Sequence, residues 1–392
     1  MSLQMVDLRR QVAEIRDELD AAIGAVLDSG AFVRGPFVRD FQEALGTYLA
    51  DDRSTPRTLG VANGTDALQI AYQALGLGTG DEVIMPAFTF CATAEAAALL
   101  GATPVFADID QATFNLDPAL VETAITPRTK AIVPVHLFGQ CADLAAFEAL
   151  AEQHGLALIE DTAQAVGAEH IGPDGTRRFA GTVGDIGTVS FYPSKNLGAY
   201  GDGGALLTRS DALHERMRQT ANHGAARKYF HTTIGVNSRL DGIQAAILGV
   251  HLRHLPAWTR ARQLAAACYD AAFAPSAFVT RPARADYSTH VFHQYVIRVP
   301  SDVRDQLRDA LKAQGIPSMV YYPTPLHEMP AFSNACVSGS LGETERACQE
   351  VLALPMHPWL SVADVERVAD AVLAFFGERS VDVTAVPHEL VA

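Results

Sequence analysis

Ser190-Phe191-Tyr192-Pro193-Ser194-Lys195-Asn196-Leu197-Gly198, followed closely by Gly201-Asp202-Gly203-Gly204, is the stretch of this chain whose reading decides its fold and its chemistry. Val189-Ser190-Phe191 reads as the end of a strand, and Pro193 bars a continuous helix, so Lys195 falls in a strand-end loop. A lysine on a loop is ordinarily solvated. Here Phe191, Tyr192, Leu197 and Tyr200 are expected to enclose it, and desolvation lowers a lysine pKa and makes the amine a nucleophile. An aldehyde cofactor would attach at such a group.

On either side of that loop, from about Leu59 to Thr208, short apolar runs alternate with helical patterns, which predicts an α/β fold with a largely parallel sheet. The strands read as Val83-Ile84-Met85, Pro104-Val105-Phe106, Ala131 to Val135, Leu156 to Ile159, Val189 to Phe191 and Ala205-Leu206-Leu207. Helices are predicted over Ala92 to Leu100 and Leu144 to Gln153. In such sheets ligands bind at the carboxyl ends of the strands, so polar residues just after each apolar run are the candidates. Residues from about Leu8 to Ala50 read as helical, with breaks at Ser29-Gly30 and Gly35-Pro36, and Ser238 to Leu252 reads as a further helix. From about Pro256 the pattern shifts to a smaller α+β unit closing with the helix Val362 to Phe376. The expected organisation is a large domain over 1–255, a small C-terminal domain over 256–378 and a loose tail over 379–392.

Hydrophobic residues make up 48% and charged residues 19%, which is globular composition. A formal charge of -15 argues against broad nucleic-acid binding and against anionic lipid surfaces, since both need clustered Lys and Arg. Arg227, Lys228 and Arg239 could still hold a small anion locally, or be ordinary solvated charges. The cysteines Cys91, Cys141, Cys268, Cys336 and Cys348 are odd in number and form no C-x-x-C pair, so neither a disulfide framework nor a metal site is indicated. With no signal-like or membrane-length apolar run, a reducing cytoplasm is the expected location.

Asn63-Gly64-Thr65-Asp66-Ala67-Leu68 opens a helical run, which puts Gly64 and Thr65 at a helix N-terminus, where phosphate is favoured; a simple cap is the alternative. Glu160-Asp161 ends a strand. Asp161 could cap a helix from Thr162 onward, or supply the anion that a pyridine-ring cofactor needs opposite its ring nitrogen. Ser190 shares the Lys195 loop. One ring of Phe88-Thr89-Phe90 could stack on a flat cofactor while the other packs in the core. His136 reads as a histidine satisfied by core hydrogen bonds, and His357, beside two prolines, as fixing a turn. Gly76-Leu77-Gly78-Thr79-Gly80 lacks the spacing and context of a dinucleotide-binding turn.

In this chain order, a phosphate-binding helix start, an aromatic, a strand-end Asp and a loop Lys resemble the DegT/DnrJ/StrS-type nucleotide-sugar aminotransferases. These are pyridoxal 5'-phosphate enzymes of the aspartate-aminotransferase fold (fold type I). The resemblance extends from Gly35 through Gly80 to Ile84, Glu160 to Ala165, Ser190 to Gly198, Gly235 to Asp241 and Gln244 to Leu248, as far as Leu354-Pro355-Met356-His357-Pro358. It implies a mostly parallel seven-stranded sheet in the large domain and a homodimer with active sites at the subunit interface. Lys195 would carry the cofactor as a Schiff base, Asp161 would pair with its ring nitrogen, and Gln164 would bond its phenolic oxygen. Gly64, Thr65 and Ser190 would bind the phosphate, Phe90 would stack on the ring, and Asn237 would reach the phosphate from the neighbouring subunit.

Within the family, Asn222-His223-Gly224, Lys228 to His231 and Tyr321 to His327 look most like enzymes that aminate a 3-keto sugar, nearest to those acting on UDP-linked 2-acetamido-3-keto-glucuronic acid. The resemblance implies Arg239, Tyr229, His231, Tyr321 and Tyr322 as substrate contacts, a UDP- or dTDP-linked keto sugar as acceptor and L-glutamate as donor. Amino-sugar biosynthesis for a surface polysaccharide or natural product would be the setting. That group often has His where this chain has Tyr321, and many relatives carry Asp-Ala-Ala-Gln where it has Asp161-Thr162-Ala163-Gln164. The alternatives are amination at C4 and a non-catalytic cofactor-binding regulator. A dehydratase on the same fold would carry His in place of Lys195.

Overall fold

The arrangement of residues 3–379 is taken from a computed structural model and is described for those residues. The centre is one eight-stranded sheet. Its strands in chain order are β1 Arg57–Val61, β2 Glu82–Pro86, β3 Thr103–Ala107, β4 Thr129–Ile132, β5 Ala157–Asp161, β6 Ile186–Ser190, β7 Gly204–Thr208 and β8 Cys336–Val337. They lie side by side as β1-β7-β6-β5-β4-β2-β3-β8. Every neighbouring pair from β6 to β8 is parallel, and β7 alone runs antiparallel to both of its neighbours. Six of these strands, β2 to β7, answer strands read from the sequence, and β1 brings the number to the seven that the resemblance implies. The eighth is added at the edge from beyond residue 256; two exposed residues carry no alternation from which to read it.

Alternation within the strands shows why the sheet is covered on both faces. Val83, Met85, Phe106, Ala131 and Ile159 enter one apolar cluster, while Ile84, Val105, Ala107, Ile132 and Leu158 enter another on the opposite side. Successive side chains point to opposite faces, so continuous apolar runs require two covering layers. Helices Gly64–Ala74 and Ala92–Leu99 belong to the first layer and Leu144–His154 to the second.

The helix expected to end near Leu252 instead continues from Gly242 to Phe273, through Pro256. Proline removes one helical hydrogen bond and crowds the preceding turn. Here Leu252, Leu255 and Trp258 are buried on either side of it, so packing holds the helix together. The 255/256 position therefore lies inside a continuous helix, whose last turns pack on the pair Tyr295–Arg298 and Val351–Leu354 and on the closing helix Val362–Phe375. The N-terminal segment forms helices Leu8–Glu14, Arg16–Ser29 and Pro36–Tyr48, with Gly30 in the left-handed conformation where the second stops. Of the tail 379–392, residues 380 onward lie outside the described residues. Among the described residues no helix is long and apolar enough to cross a membrane.

Candidate active site

Strands β2, β4, β5 and β6 run the same way, so their carboxyl ends meet at one edge of the sheet. A cavity of about 920 Å³ opens there. Gly64, Thr65, Phe90, Asp161, Gln164, Ser190, Lys195, Tyr321 and Tyr322 all line it. Residues separated by more than 250 positions in sequence thus share one wall.

Lys195 sits in the segment between β6 and β7, and that segment is tied at several points. Phe191 N–H donates to Gly203 O at 2.8 Å, Ala199 N–H to Phe191 O at 2.7 Å and Lys195 N–H to Tyr192 O at 2.8 Å. From the long helix, His251 Nδ1 donates to Gly198 O at 2.6 Å and Gln244 Oε1 accepts from Tyr200 N–H at 2.9 Å. Gly198 must be glycine here, because a Cβ would stand 2.4 Å from Pro193 O. The enclosure of Lys195 differs from expectation. Phe191 and Leu197 point into the core beneath the loop, Tyr200 packs on His251, and of the four rings and side chains expected only Tyr192 lines the cavity.

Burial lowers the Lys195 pKa from 10.5 to about 8, against an opposing pull from the Asp161 charge. The side chain keeps some exposure, as a group facing an open cavity does. At neutral pH a useful fraction of its amine is thus unprotonated. His293, which also lines the cavity, is held neutral: burial drives its pKa well below 6.5, and Lys195 and Arg262 push the same way.

Adjacent carboxylates at the end of β5 have separate tasks, because neighbouring strand residues face opposite ways. Glu160 is fully buried and points away from the cavity, accepting from Gly181, Val183 and Gly184 N–H at 2.7–2.8 Å and contacting His136 Nε2 at 2.9 Å. Burial alone would raise its pKa, but the His136 contact and the backbone donors win and lower it. His136 also accepts from Ala142 N–H at Nδ1, which makes it the satisfied core histidine expected. Asp161 faces the cavity instead. Its Oδ2 accepts from Thr93 Oγ1–H at 2.9 Å and its Oδ1 from Ala163 N–H at 3.2 Å.

Gln164 is oriented from both ends. Phe138, in the left-handed conformation at φ 58°, aims its N–H at Gln164 Oε1 at 2.7 Å, so the amide nitrogen is the end turned toward Tyr322, whose hydroxyl accepts from Nε2 at 3.0 Å. The second Nε2 hydrogen remains to be donated. Burial raises the Tyr322 pKa, which keeps the phenol neutral. Phe90 is 57% exposed over the cavity, with its ring 6.4 Å from that of Tyr322, whereas Phe88 is buried in the core.

Opposite these groups the helix Gly64–Ala74 begins, capped by Asn63 Oδ1, which accepts from Asp66 N–H at 2.8 Å. Gly64 lies so close to Ser190 that a Cβ would meet the Ser190 Cβ at 2.7 Å. The helix start, Thr65 and Ser190 therefore line the same end of the cavity, and a helix N-terminus with two hydroxyl side chains beside it is suited to phosphate. A phosphate cradle, an exposed ring, an amide donor, a carboxylate and a partly neutral amine fit an aromatic phosphate-bearing aldehyde.

Asn237, Arg239, Tyr229 and His231 do not line this cavity in their own chain. Tyr229 and His231 belong to the exposed hairpin Ala225–Arg227 and Phe230–His231, and His231 Nδ1 contacts His223 O at 2.8 Å. Asn237 pairs with Asn222 through the backbone, while Ser238 Oγ accepts from Ala62 N–H at 3.0 Å and anchors the turn. Arg239 lies near Arg34 and lowers its pKa, though burial contributes more. Sequence reasoning missed Thr89, Thr93, His293 and Gln294. The first two carry a signal, hydroxyls next to the Phe90 ring at the start of a helix; the others carry none, because their place depends on the far side of the chain. His357 Nδ1 accepts from Trp359 N–H at 3.3 Å, which fixes the turn expected there. One His/Glu/Glu cluster occurs among the described residues, His327, Glu328 and Glu345, and none of its members lines the cavity.

Residues 13–373 match the DegT/DnrJ/EryC1/StrS aminotransferase family. The chain is 45% identical over 379 residues to a "pleiotropic regulatory protein" of Geobacillus stearothermophilus, covering 96% of this chain and 99% of that one. It is 44% identical over 370 residues to the UDP-2-acetamido-2-deoxy-3-oxo-D-glucuronate aminotransferase of Pseudomonas aeruginosa, covering 94% and 99%. Among solved structures, S. venezuelae DesV in complex with a ketimine intermediate superposes with a TM-score of 0.90 at 42% identity, covering 97% of this chain and all of that one. With the family match spanning nearly the whole chain, this protein belongs to the DegT/DnrJ/EryC1/StrS aminotransferase family and has its fold type I architecture.

Proposed function

We propose that this enzyme transfers an amino group from L-glutamate to the keto carbon of a nucleotide-linked sugar, with a 3-keto sugar on UDP or dTDP as the acceptor. The observation that carries the reading is the Lys195 amine, with a pKa of about 8, facing the same cavity as the Asp161 carboxylate. The similarity to a 3-oxo-glucuronate aminotransferase supports the acceptor class. When bound, pyridoxal 5'-phosphate supplies an electron-withdrawing ring that stabilises a carbanion next to nitrogen.

The chain's own residues would do the rest. Lys195 would hold the cofactor, and its neutral amine would move a proton at the substrate carbon, a positioned transfer contributing roughly 10²–10⁴-fold. The Asp161 carboxylate would face the ring nitrogen, Gln164 would donate to the phenolic oxygen, and Phe90 would cover one face. Gly64, Thr65 and Ser190 hold the phosphate.

Charge argues that the site needs a second copy. Asp66, Glu95, Asp161 and Asp202 line the cavity, and Lys195 is its one Lys or Arg among the described residues. A nucleoside diphosphate and a phosphorylated cofactor need more positive charge than that. We infer a homodimer in which Asn237, Arg239, Tyr229 and His231 of one subunit reach the cavity of the other, joining Tyr321 and Tyr322 there. Five free cysteines fit a reducing cytoplasm as the place of the reaction.

The test is direct. Purified protein loaded with pyridoxal 5'-phosphate should lose its visible absorbance on adding L-glutamate, with 2-oxoglutarate released, and regain it on adding a UDP- or dTDP-linked 3-keto sugar. Recovery with 4-keto sugars alone would overturn the position assigned. Failure to bind the cofactor or convert glutamate would overturn the reading as a whole.

A further inference from the structure

Asp161 is almost completely buried, and among the described residues Lys195 is the one cation that shares its cavity. A buried carboxylate is costly unless hydrogen bonds support its charged form. The donor that reaches its Oδ2 is the Thr93 hydroxyl, itself fully buried in the first turn of the helix Ala92–Leu99. Thr93 has a single hydroxyl hydrogen and two acceptors in range, Asp161 Oδ2 at 2.9 Å and Thr89 Oγ1 at 3.5 Å. The closer and charged acceptor takes it. Thr89 can then donate to Thr93, extending the chain of bonds.

Thr93 is pinned in turn. The Tyr72 hydroxyl, at the buried face of the helix Gly64–Ala74, donates to Thr93 O at 3.0 Å. Burial drives the Tyr72 pKa well up, so the phenol remains a neutral donor. The helix whose start cradles phosphate is thereby linked through Tyr72 and Thr93 to the carboxylate at the end of β5. Neutral donors have a specific merit here. An arginine or lysine in their place would satisfy the carboxylate and neutralise it, whereas a hydroxyl supports the anion and leaves its full charge for a ligand.

We propose that Thr93 is a positioning residue for Asp161, its hydroxyl, held by Tyr72, keeping that carboxylate aimed at the ring nitrogen of a bound pyridoxal phosphate. This rests on the cofactor assignment under Proposed function. Thr93→Val keeps the side chain's shape and removes the donor; Thr93→Ser restores the donor and removes a methyl. Each is loaded with pyridoxal phosphate, and three quantities are measured: the cofactor dissociation constant by absorbance titration, the pH midpoint of the bound cofactor's visible absorbance, and the unfolding midpoint of the apo protein.

Thr93→Val should weaken cofactor binding by about tenfold, the scale of a lost hydrogen bond to a charged group. It should also move the spectral midpoint upward, because a ring nitrogen that has lost its proton no longer depresses the basicity of the conjugated system. Thr93→Ser should return both toward wild type. Tyr72→Phe, which loosens Thr93 without touching Asp161, should move the midpoint the same way by less. An unchanged midpoint in Thr93→Val, or a Thr93→Ser variant no better than Thr93→Val, overturns the inference. If Thr93→Val does not fold, an unchanged midpoint in Tyr72→Phe does so. Wild-type protein that takes up no cofactor overturns the underlying assignment instead, and that is seen before any variant is compared.

Discussion

Around Lys195 the loop backbone, Asp161 and Gln164 are each tied to partners in the same chain, whereas the hairpin Ala225–His231 and the turn after it hold Tyr229 at 88% and Ile234 at 83% exposure. Basic groups there stack on their own aromatic neighbours, Arg227 over Phe230 and Lys228 over Tyr229, and both rings remain exposed. The first region is finished by one chain's folding. The second exposes large rings and cations that do little for the chain's own stability, which is the character of a surface that meets something else. Changes in the cavity should therefore alter chemistry at its source, and changes in the hairpin should alter binding with little effect on folding.

The largest effect is expected from Lys195→Ala. The folded protein should lose the visible absorbance of the attached cofactor and more than about 10⁴-fold of its turnover, since a covalent anchor and a general base go together. Turnover that survives would remove Lys195 from the centre of the comparison. Next comes the ionisation of that amine in the apo protein. Acylation of Lys195, read by mass spectrometry, should show a midpoint near pH 8, which at neutral pH means on the order of a hundredfold more neutral amine than a surface lysine has. Stability should move with it: the unfolded lysine keeps a proton that the folded one has released, so the apo protein loses stability as pH falls below 10.5 toward about 8 and gains it as pH rises over that range. A midpoint near 10.5 would mean that the cavity does not desolvate the amine.

The hairpin side is tested by Asn237→Ala, which should weaken cofactor binding by about tenfold. In mixed dimers of Asn237→Ala chains with Lys195→Ala chains, the site that retains Lys195 receives an intact Asn237 from its partner and should bind cofactor as wild type does. Weak binding there would mean that Asn237 serves its own chain. The smallest effect is expected where a buried group has no partner. The Thr162 hydroxyl is buried without a hydrogen bond, so Thr162→Ala should change unfolding stability by less than about 1 kcal/mol in a denaturant titration. A larger loss would show that the hydroxyl is bonded after all.

Legibility in the sequence divides along the same line. Lys195, Asp161 and the helix start at Gly64 can be read because each stands where an apolar run stops, and the edge of a parallel sheet collects such positions. Gln164 can be placed near them but not oriented, since the bonds that turn its amide come from Phe138 N–H and from Tyr322, 158 positions away. Proximity in sequence makes Phe191 and Leu197 walls of the lysine pocket, yet in a tight loop neighbours diverge, and both point into the core. Pro256 reads as a stop; burial on both sides of it carries the helix on. The edge strand β8 is invisible because backbone pairing to β3, and no side-chain pattern, defines it.

The reversal of β7 has a mechanical consequence. A strand that doubles back beside β6 turns the segment 191–203 into a closed excursion whose two ends are fastened to each other, Ser190 opposite Gly204. Closing a loop on itself removes most of its freedom. The backbone beneath Lys195 thus behaves as a fixed bollard and the four methylenes of the side chain as the rope. In the proposed reaction, any travel of the amine between bonding to the cofactor and moving a proton would be confined to those methylenes.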